Sequence, residues 1–432
     1  MTFHHRAVPI VLMILLLDAI GFGIVLPVLP GLIVHLAQVT VSQATRIAGY
    51  MLVAYASLQF LAGPIIGNIG DRYGRRPVLL ACVLAFTVDY GLMAAAPTIG
   101  WLFVGRMVAG IAGASYGPAN AVLADVTPPA ERARVFGLMG AAFGGGFILG
   151  PALGGLIASF GVRAPFVVAA SLAAFNCIWI MVALPETLKV GDRRAFEWRR
   201  ANPFGTFGPL LRAPQAVPLI LAAFLWQVAH SVYPATWAFW AELKFNWTSA
   251  QIGWSLAAAG LSMALAQVFI TGPAVARFGE QRSVIIGMLV GGASFAFYAF
   301  VAHGWAVYAI IFFSALQGLV YPSLNALLSR MTDASNQGAL QGGMASVASV
   351  AAIVGPVAMT QTLAFGAEHA RPGAAFLWAA ALVCLAMGVI YFGVLRRTLA
   401  PAPNRRSTSR AARAGRTRSH GSCGRQGHRP CW

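Results

Sequence analysis

Apolar and polar residues in this chain alternate on the scale of whole helices rather than of single positions. A helix needs about 20 consecutive apolar residues to cross the hydrocarbon of a bilayer. Twelve stretches are long enough: 8–36, 46–68, 77–97, 99–124, 135–159, 164–185, 216–241, 249–275, 283–302, 305–329, 338–365 and 373–395. The pattern predicts an all-α membrane protein of twelve transmembrane helices. Residues 1–185 would form an N-terminal six-helix bundle, 186–215 a cytoplasmic central loop, 216–395 a C-terminal six-helix bundle and 396–432 a basic tail expected to be disordered.

Sliding the sequence against itself by 205 positions aligns Gly74 with Gly279, Tyr116 with Tyr321, Asn120 with Asn325, Thr127 with Thr332 and Gly137 with Gly342. It also aligns Gly150-Pro151 with Gly355-Pro356. One offset holding across several spans marks a duplication, and six spans per half make the two bundles parallel repeats. That arrangement suits a carrier whose halves rock about a site between them.

Composition agrees: of 432 residues, 58% are hydrophobic and 10% charged, with mean hydropathy +0.72, where a soluble domain carries about 25% charged residues. The net charge of +18 is mostly a matter of location, because ten arginines and no acid fall after residue 395. Twenty-five Lys and Arg lie on one set of loops and termini, against four on the other, which predicts both termini in the cytoplasm. The tail has no fold or aromatic interleaving for nucleic acid, and a basic segment beside anionic lipid accounts for it. The five cysteines have no metal spacing, so neither a disulfide framework nor a protein metal site is expected. No enzyme is expected, and no obligate protein partner.

Only two acids lie well inside the spans, Asp18 and Asp89, with one cation, Arg106. Ionisable groups at this depth are costly and point to function. Asp89 is eight residues before Pro97 and Arg106 nine after it. At about 1.5 Å per residue both sit roughly 12 Å from the same membrane surface, on antiparallel neighbours that can pair. Asp18 lies near the midplane, suited to taking and releasing protons. At the 205 offset it maps onto Ala223, and Asp89 onto Ser294, so the buried charge is confined to the first half.

Three motifs carry a family resemblance. The loop Gly67-Asn68-Ile69-Gly70-Asp71-Arg72-Tyr73-Gly74-Arg75-Arg76 resembles a conserved-spacing loop of the major facilitator superfamily. There it is a cytoplasmic conformational latch whose Asp meets the start of the eleventh helix. The resemblance makes Gly67, Asp71, Arg72, Gly74, Arg75 and Arg76 latch residues. In the fifth span Gly146, Gly150, Pro151, Gly154 and Gly155 fall in a run similar to the motif of the family's proton-coupled exporters. Leu102 to Gly110 resembles their fourth-helix motif, where the residue matching Arg106 takes part in proton transfer.

Asp18-Ala19-Ile20-Gly21-Phe22-Gly23, Val88-Asp89-Tyr90 and Gln337-Gly338-Ala339-Leu340-Gln341-Gly342 further resemble bacterial tetracycline/proton antiporters, a likeness that runs from about residue 8 to 395. It implies a protein of the bacterial inner membrane that exports a small-molecule drug against protons and so confers antibiotic resistance. The cargo would be tetracycline chelated to a divalent cation such as Mg, with no cofactor bound by the protein. Asp18, Asp89 and Arg106 would couple protons, and Gln59 and Gln267 would line the pathway. Two positions depart from that family: Gly291 stands where an acid is usual and Met263 where a His is usual. His230 is the ionisable residue left in the second half's interior, and Gln227 and Trp254 are further candidate substrate contacts. The departures leave open an exporter of a different amphiphilic drug or metabolite. An uptake symporter and a non-transporting receptor are the remaining alternatives.

Overall fold

The twelve expected spans are helical, and several are interrupted in mid-membrane. The computed structural model describes residues 4–113, 116–128, 130–198, 201–203, 216–330 and 337–395, among which no strand occurs. The tail and residues 199–200 and 204–215 of the central loop lie outside the described residues. In the first half, α1 (His4–Val25) and α2 (Leu29–Ala37) make the first span, α3 (Val41–Tyr73) the second and α4 (Arg75–Ala95) the third. The fourth is α5 (Ile99–Ala112) with α6 (Tyr116–Val126), the fifth α7 (Arg132–Ile157) and the sixth α8 (Ala164–Ala183).

The second half begins with α9 (Val217–His230) and α10 (Val232–Phe245) as one span. Then come α11 (Ser249–Ala266), a π-helical turn (Gln267–Thr271) and α12 (Gly272–Phe300). The tenth span is α13 (Gly304–Ser314), a 3-10 turn (Ala315–Leu319) and α14 (Val320–Arg330). The eleventh is α15 (Gln337–Glu368) and the twelfth α16 (Ala374–Ile390) with a π turn (Tyr391–Leu395).

Eleven helical stretches are long and apolar enough to cross a membrane. The longest, Ser249–Phe300, has 52 residues. At about 1.5 Å per residue that is more than twice a hydrocarbon thickness, so it holds two spans. Its reversal is at Gly279 (φ 75°, ψ 165°), the repeat partner of Gly74 (φ 112°, ψ 159°) between α3 and α4. Both conformations disfavour an L side chain.

The repeat has two registers. After the first span of each half the chain turns through a left-handed residue, Gln38 or Asn246, each with φ 53°. Thr40 and Thr248 then start the next helix with the same capping box, closed by Gln43 and Gln251. These pairs, like Gln59 and Gln267, are 208 apart, whereas Gly74 and Gly279 are 205 apart. The eighth span is therefore three residues shorter than the second in its final turns. On the register of the capped turns, Asp18 corresponds to Trp226, not to Ala223 as the single offset had it.

Small residues set how the halves meet. A Cβ on Gly146 would lie 2.5 Å from Ala19 Cβ, and one on Gly150 2.6 Å from Ile20 O, so α7 packs directly on α1. The neighbouring face of α7 packs on α11 of the other half, Gly155 on Ser249 and Ala250, Pro151 on Gly253, and Ile148 on Gly260. Farther along that face Gly144 and Gly137 have no neighbour within 4 Å of a Cβ. On the other flank, α3 meets α15 where Gly49 abuts Thr360, Ser42 Oγ donates to Ala364 O (3.1 Å), and Arg46 pairs with Glu368 (2.7 Å). These contacts lie toward the membrane surface opposite the N-terminus, so the halves are clasped on that distal side and parted toward the terminal side.

Replacing Gly150 with Leu should overpack the α1–α7 seam, at a cost of about 1–3 kcal/mol or more, and lower the yield of monodisperse protein in detergent. Gly140→Ala, where a Cβ meets nothing within 4 Å, should leave both yield and thermal midpoint unchanged in the same assay.

Candidate functional site

The buried charges of the first half occupy two different environments. Asp89 is fully buried and Arg106 6% exposed. Arg106 Nη2 donates to Asp89 Oδ2 and Nε to Oδ1 at 3.3 Å, so both carboxylate oxygens meet the guanidinium. The spacing around Pro97 had placed them at one depth, and Gly105 leaves the room, since a Cβ there would lie 2.7 Å from Asp89 Oδ1. The guanidinium also lies 5.9 Å from the Tyr55 ring centroid and 3.6 Å from Met93 Sδ.

Among the described residues Asp18 meets no cation. Its Oδ1 accepts from Asn176 Nδ2 at 2.8 Å, and its Oδ2 is buried without a hydrogen-bond partner. Asn176, on α8, is fully buried and also donates to Ile14 O at 3.1 Å. The sequence held the signal, a lone carboxamide in an apolar span, but nothing in its spacing tied it to Asp18.

A cavity of about 290 Å³ lies between the halves. Leu26, at the break between α1 and α2, and Phe147 of α7 close one side; the rest comes from the second half, including His230, Tyr233, Trp237, Met263, Tyr298 and Gln317. The His230 ring centroid is 5.7 Å from that of Trp226 and 5.1 Å from that of Tyr233. Gln317 Nε2 donates to Tyr233 Oη at 3.3 Å, while its Oε1 is buried without a partner. The interrupted helices present this surface: Ser231 breaks the seventh span beside His230, and the 3-10 turn carries Gln317. Tyr233 and Tyr298 were not among the expected ligands, because each stands in a mostly apolar stretch with no polar neighbour in sequence to mark it.

The other expected contacts divide. Gln267 is exposed on the π turn and lies with Met263 over Gly318, at the cavity edge. Gln59, its repeat partner, instead donates Nε2 to Gly113 O at 2.8 Å, pinning the break in the fourth span. Gln227 borders a crevice of about 10 Å³ beside Tyr321 and Met344, too small for a drug; it serves helix packing, not the cavity. Trp254 is a second correction: it is 52% exposed and faces away from the cavity-lining Leu256 and Gly260 on the same helix, which fits a membrane-interface aromatic. Gly291 has a physical reason. A Cβ there would lie 2.7 Å from Trp226 Cη2, so the indole fills the place where a side chain would stand.

The latch loop is engaged within its own half. Arg75 Nη1 pairs with Asp71 Oδ1 at 2.5 Å and Nε with Asp125 Oδ2 at 3.4 Å. Glu186 accepts from the backbone N–H groups of Arg75 (2.9 Å) and Arg76 (3.3 Å), capping α4 with a carboxylate. Arg76 Nη2 donates to Met181 O at 2.5 Å, Arg72 lies over Tyr73, and Gly67 has open space beside it. Among the described residues Asp71 pairs with Arg75; residues 331–336, which lead into the eleventh span where a partner for Asp71 was expected, lie outside them.

The family model of the Major Facilitator Superfamily matches residues 11–244 and 219–421. The chain is 40% identical over 386 residues to the tetracycline resistance protein, class C, of Escherichia coli, covering 88% of this chain and 96% of that one. To the class G protein of Vibrio anguillarum it is 37% identical, over 81% of this chain and 88% of that one. The nucleoside transporter NupG superposes with a TM-score of 0.72 at 13% identity, over 89% of this chain and 99% of that one. That likeness is one of fold.

Arg106→Gln leaves a fully buried carboxylate without its cation, a loss of about 3–5 kcal/mol for a pair broken on one side. The thermal midpoint in detergent should fall well below the native value, and Asp89→Asn added to Arg106→Gln should restore much of the difference.

Proposed function

The chain belongs to the Major Facilitator Superfamily, and we propose that it is a proton-coupled tetracycline exporter of the bacterial inner membrane, with both termini in the cytoplasm. The observation that carries this reading is the division of labour across the central cavity: unduplicated buried acids in one half, an aromatic, amide-bearing surface in the other. The relatives named for tetracycline resistance, matched over most of their length, support the choice of drug.

In this orientation the parted side faces the cytoplasm, where drug enters. The planar drug stacks on Tyr233, Trp237 and Tyr298, with His230, Gln317 and Gln267 offering polar contacts at its rim. A divalent cation such as Mg is part of the cargo, held by the drug. Opening to the other side requires the Arg46–Glu368 pair to separate and Asp71 to exchange Arg75 for the opposite half. A proton arriving from outside binds Asp18 or Asp89, drug leaves, and release of the proton to the cytoplasm resets the carrier.

A second reading is an exporter of a different planar amphiphilic drug. It is favoured by the cavity itself, whose described lining contains no carboxylate and no Lys or Arg. A susceptibility panel in an efflux-deficient host separates the two. Tetracycline resistance that an uncoupler abolishes supports the first; resistance to other planar drugs without tetracycline supports the second.

Asp18→Asn and Asp89→Asn should each abolish proton-driven tetracycline uptake into inverted membrane vesicles while the protein is still made; uptake retained in both would refute the coupling role. Tyr233→Ala should raise the apparent KM about threefold to tenfold, the value of one aromatic contact, in the same vesicles.

A further inference from the structure

We propose that Asn176 is the positioning residue for proton binding at Asp18, holding the carboxylate by one oxygen and leaving the other free for the proton. The inference rests on the reading that Asp18 carries a transported proton. Asn176 Nδ2 faces two acceptors at once, Asp18 Oδ1 (2.8 Å) and Ile14 O (3.1 Å), so the amide nitrogen, not its oxygen, must point at α1. Two acceptors are then left buried without a donor, Asp18 Oδ2 and Asn176 Oδ1. Such groups are rare and costly in a protein interior. A proton at Asp18 Oδ2 relieves the buried carboxylate. When the O–H bond forms there, that oxygen becomes a donor and the negative charge is gone, while the amide stays bound to Oδ1. When the bond breaks and the proton passes to water, the Nδ2 donor stays on the carboxylate.

Among the described residues no Lys, Arg or second carboxylate is paired with Asp18. Cys177 on α8, and Cys82 and Tyr90 on α4, lie within electrostatic reach of Asp18. On α7 the residues against this stretch of α1 are Gly145 and Gly146, and on α6 Asp125 is paired with Arg75. Asp89, in contrast, has Arg106 on both oxygens.

The test uses full-length protein and dicyclohexylcarbodiimide, which modifies protonated buried carboxyl groups. Labelling of Asp18 is followed against pH by mass spectrometry, beside the pH profile of transport in proteoliposomes. A hydrogen bond to a charged acceptor is stronger than one to a neutral group, so losing the amide penalises the carboxylate more than the acid. Asn176→Leu should move both midpoints upward by about one pH unit. Should the Leu variant not yield folded protein, Asn176→Thr, which keeps one O–H donor on a shorter side chain, should give a smaller shift in the same direction. A labelling midpoint that stays at the native value in a folded variant overturns the proposal. A labelling midpoint that moves while the transport profile stays overturns instead the coupling role of Asp18.

Discussion

Where a membrane helix stops or breaks, its last carbonyls and first N–H groups have no water to turn to, and the protein has to supply their partners. Much of the polar inventory of this chain is spent on that task. Arg163 donates to Ala94 O and Ala96 O at the end of α4, and Lys244 to Ala299 O at the end of α12. Ala94 and Ala299 are repeat partners, yet their cations come from different loops. The need was inherited with the duplication and met separately in each half. Gln59 on Gly113 O and Glu186 on the first N–H groups of α4 answer the same need. This constraint decides which polar residues are free for substrate. Gln59 is committed to a helix break, while Gln267, at the equivalent place on a π turn, has its amide at the edge of the cavity.

The halves share one backbone plan and have diverged in chemistry. Asp18 in the first half corresponds to Trp226 in the second. The indole occupies the space beside Gly291 and begins a run of ring contacts through His230 to Tyr233. An acid at position 291 and the indole of Trp226 are sterically exclusive in this packing, and Trp226 in turn lies beside the cavity-lining His230. The second half thus presents ring surface where the first presents buried charge.

The spans, the two halves and the pairing of Asp89 with Arg106 were legible in the sequence, because each follows from lengths and depths that hydrocarbon imposes. Other features were not. The breaks at Ser231 and Gly113 fall in sequence with no Pro at the break itself; Ser231 Oγ donates locally to Val228 O, while Gly113 O takes its donor from Gln59 on another helix. The change of register from 208 to 205 leaves most Gly and Ala matches plausible at either offset; only the paired capping boxes separate them. Trp254 shows the limit of residue type as a guide. An aromatic residue in an apolar helix suits a ligand or a lipid interface equally, and the face it takes depends on how α11 rolls against α7.

The separation of charge from cargo makes the fifth span the physical link between them. Gly146 and Gly150 of α7 lie against Ala19 and Ile20, the residues that follow Asp18 on α1. On its other face Ile148 and Pro151 lie against Gly260 and Gly253 of α11, and Gly260 lines the cavity. At both seams backbone touches backbone or a bare side-chain stem, so there is little soft side chain to absorb a displacement. If protonation at Asp18 changes how α1 sits against Asn176 on α8, α7 must move with α1 or lose its packing, and α11 must then follow or part from α7. Glycine at these positions leaves no compliant layer between the helices, so a displacement of α1 reaches α11 through α7 rather than being absorbed by side chains.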